Sequence, residues 1–251
     1  MNLAKLQAAM VELVVDRTAL RRFLNDKLAY ARSLDMDAEA AAMLALIDDD
    51  ELLRFCSVIE GTRAARLALV YPGVRRRLGE NRWSGEIAAF HAESVIKSSR
   101  SNFVLDQFNN YLQQRFPGTV IADLAQYELG TYLLSIAPPR SAETLTTKSK
   151  QYPVLAPLAR LLTLSGTTDD LLDDAAIGWN AVGGPAWAIL YRTVEGSEVE
   201  LLEISRELHA LLAQCNGARA LEALLEGVDC NSADVWEALE TLTDFGVVEW
   251  R

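Results

Sequence analysis

Apolar residues recur at the spacing of α-helices through the first 136 residues of the chain. Asp16, Asp37 and Asp48 each stand just before such a run, where an Asp side chain can accept hydrogen bonds from the first backbone N–H groups of a helix. The run after Asp16 predicts a helix whose buried face is made of Leu20, Phe23, Leu24 and Leu28. The run after Asp48 predicts a helix that ends at Tyr71-Pro72 and buries Leu52, Phe55, Ile59, Ala64 and Leu67. Further helices are predicted over about 82–93, 101–115 and 119–136.

The pattern changes after residue 153, where short runs of strand-forming residues appear. Strands are predicted over 154–164 and 187–191, with a helical turn over 168–174 between them. Residues 187–192 and 197–202 flank Thr193-Val194-Glu195-Gly196 and predict a β-hairpin. Three short helices follow, over about 203–215, 218–226 and from Asn231 to Gly246, and then a short strand over 247–250. A hairpin, three helices and a small strand in this order indicate a winged-helix-like module.

A change in charge accompanies the change in pattern. Residues 153–251 contain five Arg and no Lys against 17 Asp or Glu, a net charge of −12, whereas the preceding residues hold 19 basic and 18 acidic groups. A Pro- and Thr-rich segment over 137–148 lies beside this step and is typical of a linker. The fold is therefore predicted to be mainly α with a small α+β part. We expect a helical partner or docking domain over 1–145 and a winged-helix-like domain over 146–251.

Composition limits the classes of function. The third helix of the second domain offers acidic side chains and no Arg or Lys, so it lacks the cations that a DNA-reading helix needs. The longest uncharged stretch, over 175–191, contains three Gly and a Pro, which argues against a membrane span. The amphipathic start is a poor signal peptide, and three widely spaced Cys indicate reduced thiols. A cytoplasmic location is expected.

Two turns in the second domain carry a first resemblance. The helix over 203–215 ends at Cys215-Asn216-Gly217, and the last helix ends at Phe245-Gly246-Val247. With the hairpin before them, these turns make the segment similar to the RiPP recognition element, a winged-helix-like domain of pathways that modify ribosomally made peptides.

The first domain carries a second resemblance, independent of the first. Residues 63–79, RAARLALVYPGVRRRLG, resemble the R…L…YP-x-V-R-R-x-x-G segment of a helical domain family found beside multinuclear non-haem iron oxidative enzymes. Phe90, the turn at Pro117 and the LAQYE run over 124–128 match that family's aromatic residue, proline and final helix. The combined resemblance covers about residues 50–250, in the domain order of the bufferin- and thiaglutamate-type partner proteins.

The resemblance implies a non-catalytic adaptor, which needs no cofactor of its own. It would bind the leader of a precursor peptide and present it to a partner iron enzyme that modifies a Cys of the peptide. In recognition elements the leader adds as a strand beside the last hairpin strand and packs on the last helix. The matching peptide-binding residues are Glu198, Val199, Glu200, Leu201, Trp236, Leu239, Glu240 and Thr243. The matching partner-docking residues are Tyr71, Pro72, Arg75 and Arg76.

Structural alternatives exist for most of these residues. Trp236 equally fits a half-buried scaffold position, and Val199 and Leu201 fit the core. Tyr71-Pro72 fits a simple junction between two helices, since Pro favours the first turn of a helix. Arg75-Arg76-Arg77 fits a solvated face or an anchor for an acidic partner surface better than a nucleic-acid patch, because consecutive residues point in different directions on a helix.

The sequence offers few candidates for catalytic residues. The two histidines, His91 and His209, have no ligand-like partners at helical spacing, and no metal-binding or nucleotide-binding signature occurs. Three hypotheses remain: the adaptor, a transcription regulator with a helical DNA-binding domain and an acidic ligand or oligomer domain, and a stand-alone enzyme. Salt-dependent duplex binding would identify the regulator, and bound metal or unaided turnover would identify the enzyme.

Overall fold

The computed structural model of the 251-residue chain describes residues 3–93, 101–138, 151–172, 184–193, 198–226 and 232–251. The protein is mainly α-helical with a small β part, which confirms the predicted fold class. It divides into two compact units, an N-terminal unit Met1–Tyr111 and a C-terminal unit Leu112–Arg251.

Helices make up the described part of the N-terminal unit. They are α1 (Leu3–Val15), α2 (Arg17–Asn25), α3 (Lys27–Ser33), α4 (Ala38–Ala45), α5 (Asp49–Val70), α6 (Pro72–Leu78), α7 (Glu80–Glu93) and α8 (Ser101–Arg115), whose last residues belong to the C-terminal unit.

The three Asp caps predicted for the N-terminal helices are correct. The side chains of Asp16, Asp37 and Asp48 accept hydrogen bonds from backbone N–H groups in the first turns of α2, α4 and α5. A further cap at Asp26 was not predicted: its side chain accepts from the Ala29 N–H at 2.8 Å and starts α3. This break takes Leu28 out of the predicted apolar face and leaves its side chain 52% exposed.

Among its described residues, the N-terminal unit contains an apolar cluster and an aromatic cluster. One joins α1 to α5 around Leu13, Phe23, Leu44 and Cys56. The other is aromatic and centres on Phe108, whose ring makes edge contacts with Tyr71, Trp83 and Phe90. The interior side of α5 carries Leu52, Cys56, Leu67 and Val70.

The C-terminal unit combines helices with two small sheets. Its further elements are α9 (Val120–Ile136), β1 (Pro153–Leu155), β2 (Ala159–Leu164), α10 (Thr168–Leu172), β3 (Ala186–Arg192), β4 (Val199–Ile204), α11 (Arg206–Leu212), α12 (Leu221–Leu225), α13 (Ser232–Asp244) and β5 (Val248–Trp250). Three antiparallel strands pair in the order β2-β3-β4, and β1 pairs with β5. The predicted hairpin, three helices and final strand are all present, although β4 extends to Ile204 and α11 starts later than expected. The hairpin turn over 194–197 and the predicted cap Asn231 lie outside the described residues.

The three-stranded sheet has helices on both faces. Cross-strand pairs put Leu161, Ile189 and Leu202 on one face, where they join the apolar cluster made with α11, α12 and α13. Helix α9 packs against β2 and β3 on the other face, where Gly130 comes close to the side chain of Leu190. Helix α9 packs on this sheet and therefore belongs to the C-terminal unit, which begins at Leu112. The boundary predicted near residue 145 lies in a segment, 139–150, outside the described residues.

Glycine takes a positive φ in both predicted turns, although α11 already ends at Leu212, with Ala213 as its C-cap, before the predicted stop at Asn216-Gly217. Gly217, after α11, has φ 76°, and a Cβ atom there would lie 2.8 Å from the side chain of Val154. Gly246, after α13, has φ 73°, and the Val247 N–H next to it donates to the Leu242 carbonyl at 2.8 Å. Both turns therefore require the conformation that glycine adopts most easily.

Within the described ranges, no helix combines the length and the apolar character that crossing a membrane requires.

Candidate functional site

The outer edge of β4 is a candidate binding surface of the C-terminal unit. In the described part of the chain β4 pairs with β3 on one side only and ends the sheet order β2-β3-β4. An edge strand of this kind presents backbone donors and acceptors to an added strand.

The hydrogen bonds of β3 show which β4 residues face outward. The Arg192 N–H donates to the Leu158 carbonyl, so the backbone groups of Arg192 point toward β2. The direction of the backbone groups alternates along a strand, so the backbone groups of Tyr191, Ile189 and Trp187 point toward β4. Their register partners on β4 are Glu200, Leu202 and Ile204. The backbone N–H and C=O groups of the alternate residues, Val199, Leu201 and Glu203, are therefore directed to the open edge.

Side chains of β4 alternate between the two helical layers. Glu200 lies on the face of α11–α13, where it accepts a hydrogen bond from the Tyr191 hydroxyl at 2.8 Å. Burial, followed by the Glu200 carboxylate, raises the pKa of Tyr191 to about 12. Glu203 lies on the α9 face and accepts from the Thr168 hydroxyl at 2.7 Å. Val199 and Leu201 share that α9 face, as strand alternation requires.

The predicted residues of α13 point elsewhere. Trp236 is half-buried, with its ring centroid 5.5 Å from that of Trp250 on β5. The Thr243 hydroxyl accepts from the Trp250 indole N–H at 2.9 Å. Leu239 is fully buried, while Glu240 is exposed. The structure thus brings Trp236 and Thr243 together at β5, away from the α9 face that carries the side chains of Val199 and Leu201.

A further contact with the hairpin is made at the C-terminal end of α13. Phe245 stacks on Tyr191 with ring centroids 5.9 Å apart and an interplanar angle of 22°. Ala238, on the same side of the helix, lines a cavity together with Leu208 of α11. Sequence reasoning missed this side, although Asp234, Ala238, Thr241 and Phe245 follow helical spacing.

The predicted docking residues differ widely in exposure. Tyr71 is fully buried, and its hydroxyl donates to the Leu105 carbonyl at 2.9 Å. Pro72 is exposed and begins α6, so Tyr71-Pro72 forms a junction between two helices. Arg75 makes two hydrogen bonds to the Glu80 carboxylate, at 2.8 and 3.0 Å, which raise the pKa of Arg75. Arg76 is exposed. Pro72, Arg75 and Arg76 thus present surface, whereas Tyr71 does not.

Helix α5 carries an exposed apolar stripe that sequence reasoning assigned partly to the core. Phe55, Val58 and Leu69 are 51%, 65% and 73% exposed. Thr62 and Ala65, also exposed, complete the helical spacing between them. The prediction that Phe55 is buried is therefore wrong, because α5 turns Leu52 and Cys56 inward instead. We call Phe55, Val58, Thr62, Ala65 and Leu69 the α5 stripe.

Four ionisable side chains, Arg17, Arg21, Glu60 and His91, line an open cavity of about 450 Å³ between α2, α5 and α7. Arg17 pairs there with Glu60. Burial lowers the pKa of His91, which also lines the cavity, so the imidazole is neutral at pH 7. Covalent catalysis needs a nucleophile within hydrogen-bond reach of a base. The Arg17–Glu60 ion pair and the neutral His91 imidazole do not by themselves form such a pair.

Cys56 and Cys215, the cysteines among the residues that the structure describes, lie in the interior. Burial raises the pKa of Cys56, and it raises the pKa of Cys215 to about 11, so both thiols are protonated at neutral pH. Burial also lowers the pKa of His209. The residues that the structure describes contain no group of three or more His, Cys, Asp or Glu placed to hold a metal ion.

Comparison with protein-family models finds no match to this chain, and comparison with curated proteins finds no significant similarity. The resemblance to recognition elements and to iron-enzyme partner proteins therefore rests on the residues quoted above and stays a prediction.

Proposed function

We propose that this protein is a cytoplasmic adaptor of ribosomal-peptide modification. It binds the leader of a precursor peptide as an added strand on the open edge of β4. It presents the peptide to a partner iron-dependent oxidative enzyme, which holds the iron and modifies a Cys of the peptide. The adaptor itself acts through binding and positioning.

The open edge of β4 is the observation that carries the proposal. The outward backbone groups of Val199, Leu201 and Glu203 provide a regular row of donors and acceptors. A winged-helix-like module whose hairpin edge is available suits β-augmentation, in which main-chain hydrogen bonds supply affinity and alternate side chains supply specificity.

Charge around the edge favours a basic peptide over a nucleic acid. Glu198, Glu200 and Glu203 belong to or adjoin β4, and all three are exposed. Helix α13 adds four acidic side chains and has no Arg or Lys. This field attracts a leader that carries Lys or Arg and repels the phosphates of a duplex, which makes a transcription regulator the weaker alternative.

Docking on the enzyme is assigned to the N-terminal unit. Its α5 stripe exposes apolar side chains over more than three helical turns, and Pro72 and Arg76 add surface on α6. Exposed apolar patches of this kind are typical of protein–protein interfaces.

The test uses a synthetic leader, taken from a short precursor encoded beside the gene, and calorimetric titration of the full chain. Leu201→Pro removes an outward N–H group without removing a β3–β4 hydrogen bond, since Pro is tolerated at edge positions whose N–H faces solvent. We expect Leu201→Pro to weaken leader binding at least tenfold. Leu201→Thr keeps the N–H group and is the matched control, expected to bind within about threefold of the parent protein.

Each outcome has a clear meaning. If Leu201→Pro binds as the parent protein does, with its circular dichroism unchanged, then the leader does not add to β4. If no leader binds the parent protein at micromolar concentration, the adaptor function is contradicted.

A further inference from the structure

A cavity opens where the edge strand β4 ends. Ser205, directly after the last residue of β4, caps α11 by accepting from the Leu208 N–H at 3.1 Å. The same residue lines a cavity of about 170 Å³ between α11 and α13. A peptide strand that follows the β4 edge therefore passes the mouth of this cavity.

The walls of the cavity are apolar. Leu208 and Leu211 come from α11, and Val235 and Ala238 come from α13. Leu211 and Val235 belong to the buried cluster, and Leu208 packs against it, so the walls are held by the core. A cavity of roughly 150 Å³ accommodates benzene in other proteins, so this one has room for a branched aliphatic or single-ring side chain.

The rim of the cavity is acidic. Glu207 and Asp234 line its mouth and are both exposed. Arg206, the cation next to Glu207 in the chain, lies over the Trp187 ring at 5.8 Å from its centroid. Apolar walls below a carboxylate rim match an apolar side chain that has Lys or Arg beside it.

The strand register gives the separation along β4 between this cavity and the stacked rings of Phe245 and Tyr191. Tyr191 pairs with Glu200, near the start of β4, and the cavity lies beyond Ile204, at its end. Four residues of extended chain span about 13 Å. Side chains four residues apart on an added strand therefore point to the same helical layer, one toward Phe245 and one toward the cavity.

We propose that the cavity between α11 and α13 is the specificity pocket for the bound peptide. It accepts one aliphatic or single-ring aromatic side chain, and Glu207 and Asp234 select a Lys or Arg next to that side chain. A second apolar residue four positions away contacts Phe245. This inference rests on the proposed binding of a peptide strand at β4.

The experiment selects binders to the full chain from a displayed library of random 12-residue peptides, and measures the selected peptides by fluorescence anisotropy. Ala238→Leu fills the cavity and is expected to weaken binding at least tenfold, since the anchor loses its buried site. Ala210→Leu makes the same change at an exposed position of α11 and is expected to have no effect. Glu207→Lys, an exposed change that leaves the walls intact, is expected to weaken binding more at low salt than at high salt.

The outcomes separate this inference from the proposed function. Selected peptides with an apolar residue next to Lys or Arg, sensitive to Ala238→Leu and Glu207→Lys, support the pocket. Peptides that lose binding in Leu201→Pro but bind Ala238→Leu and Glu207→Lys unchanged overturn the pocket and leave the strand edge in place. Failure to select any peptide overturns both. If Ala238→Leu does not fold, the Glu207→Lys result decides between the first two outcomes.

Discussion

Two buried charged side chains in the C-terminal unit fix helix α9 at its ends. Near its start, the Asp123 carboxylate accepts from the Ser165 N–H at 2.7 Å and from its hydroxyl at 3.2 Å. Burial raises the pKa of Asp123, and these hydrogen bonds act in the opposite direction. Near its end, the Arg192 guanidinium donates to the carbonyls of Ser135 and Ala137 at 3.2 and 2.9 Å. Each charge lies at the end of the helix whose dipole favours it.

The Arg192 contact leads to a prediction about stability. Arg192→Gln leaves α9 carbonyl groups without their charged donor in a buried site, so we expect the free energy of unfolding to fall by about 2 kcal/mol. Urea denaturation followed by circular dichroism measures the change. Arg160→Gln, at an exposed position of β2, should change the free energy of unfolding by less than about 0.5 kcal/mol. Equal effects of the two substitutions would show that the contacts of Arg192 with α9 contribute little.

At the scale of elements, the position of α9 depends on how closely its backbone approaches β3. Gly130 lies in the middle of α9, and a Cβ atom there would come within 2.6 Å of the Leu190 side chain, which is fully buried. Gly61 also lies inside a long helix, α5, but a Cβ atom there meets nothing within 4 Å. Substitution of Gly61 by alanine therefore tests helix propensity alone, whereas the same substitution of Gly130 also tests the cost of packing against Leu190.

This pair gives a second prediction. Gly61→Ala should raise the free energy of unfolding by about 0.5–1 kcal/mol, because alanine loses less conformational entropy in a helix. Gly130→Ala should lower it by about 1 kcal/mol or more, because Leu190 has to move within a packed core. Thermal and urea unfolding of both variants measure the difference, and stabilisation by Gly130→Ala would indicate that the α9–β3 contact is loosely packed.

At the scale of the whole molecule, two units carry two different kinds of surface. The N-terminal unit exposes the apolar α5 stripe, whereas the C-terminal unit exposes a strand edge with acidic side chains around it. The proposed adaptor function requires such a difference, because the two proposed partners would have to bind at the same time. Substitutions in one unit should therefore affect one partner only.

The α5 stripe provides the test of this division. Val58→Glu places a charge in the middle of the stripe and should abolish co-elution with the proposed iron-enzyme partner while leaving the affinity for the proposed leader unchanged. Val11→Glu is the matched control, since Val11 is 58% exposed on α1, outside the stripe. Size-exclusion chromatography of the co-expressed proteins measures complex formation. Co-elution of Val58→Glu with the enzyme would exclude the stripe as the docking surface.

The features that the sequence determined alone depend on contacts within a few residues. The Asp caps of α2, α4 and α5 and the glycine turns at Gly217 and Gly246 were predictable because capping and positive φ are local properties. The core face of α13 is also a local pattern, because Val235, Leu239 and Leu242 recur at helical spacing and are all buried.

The tertiary structure decided which of several apolar faces is covered. Helix α5 has apolar residues on two sides, so its period did not reveal that Cys56 is buried and Phe55 exposed; the neighbouring helices determine this. The alternation of Val199 and Leu201 was readable in the sequence. Strand pairing between distant segments decides whether their side chains meet α9 or α13. It also decides which edge of β4 is open. Trp236 likewise lies against Trp250 because β5 pairs with β1, a contact that no local pattern contains.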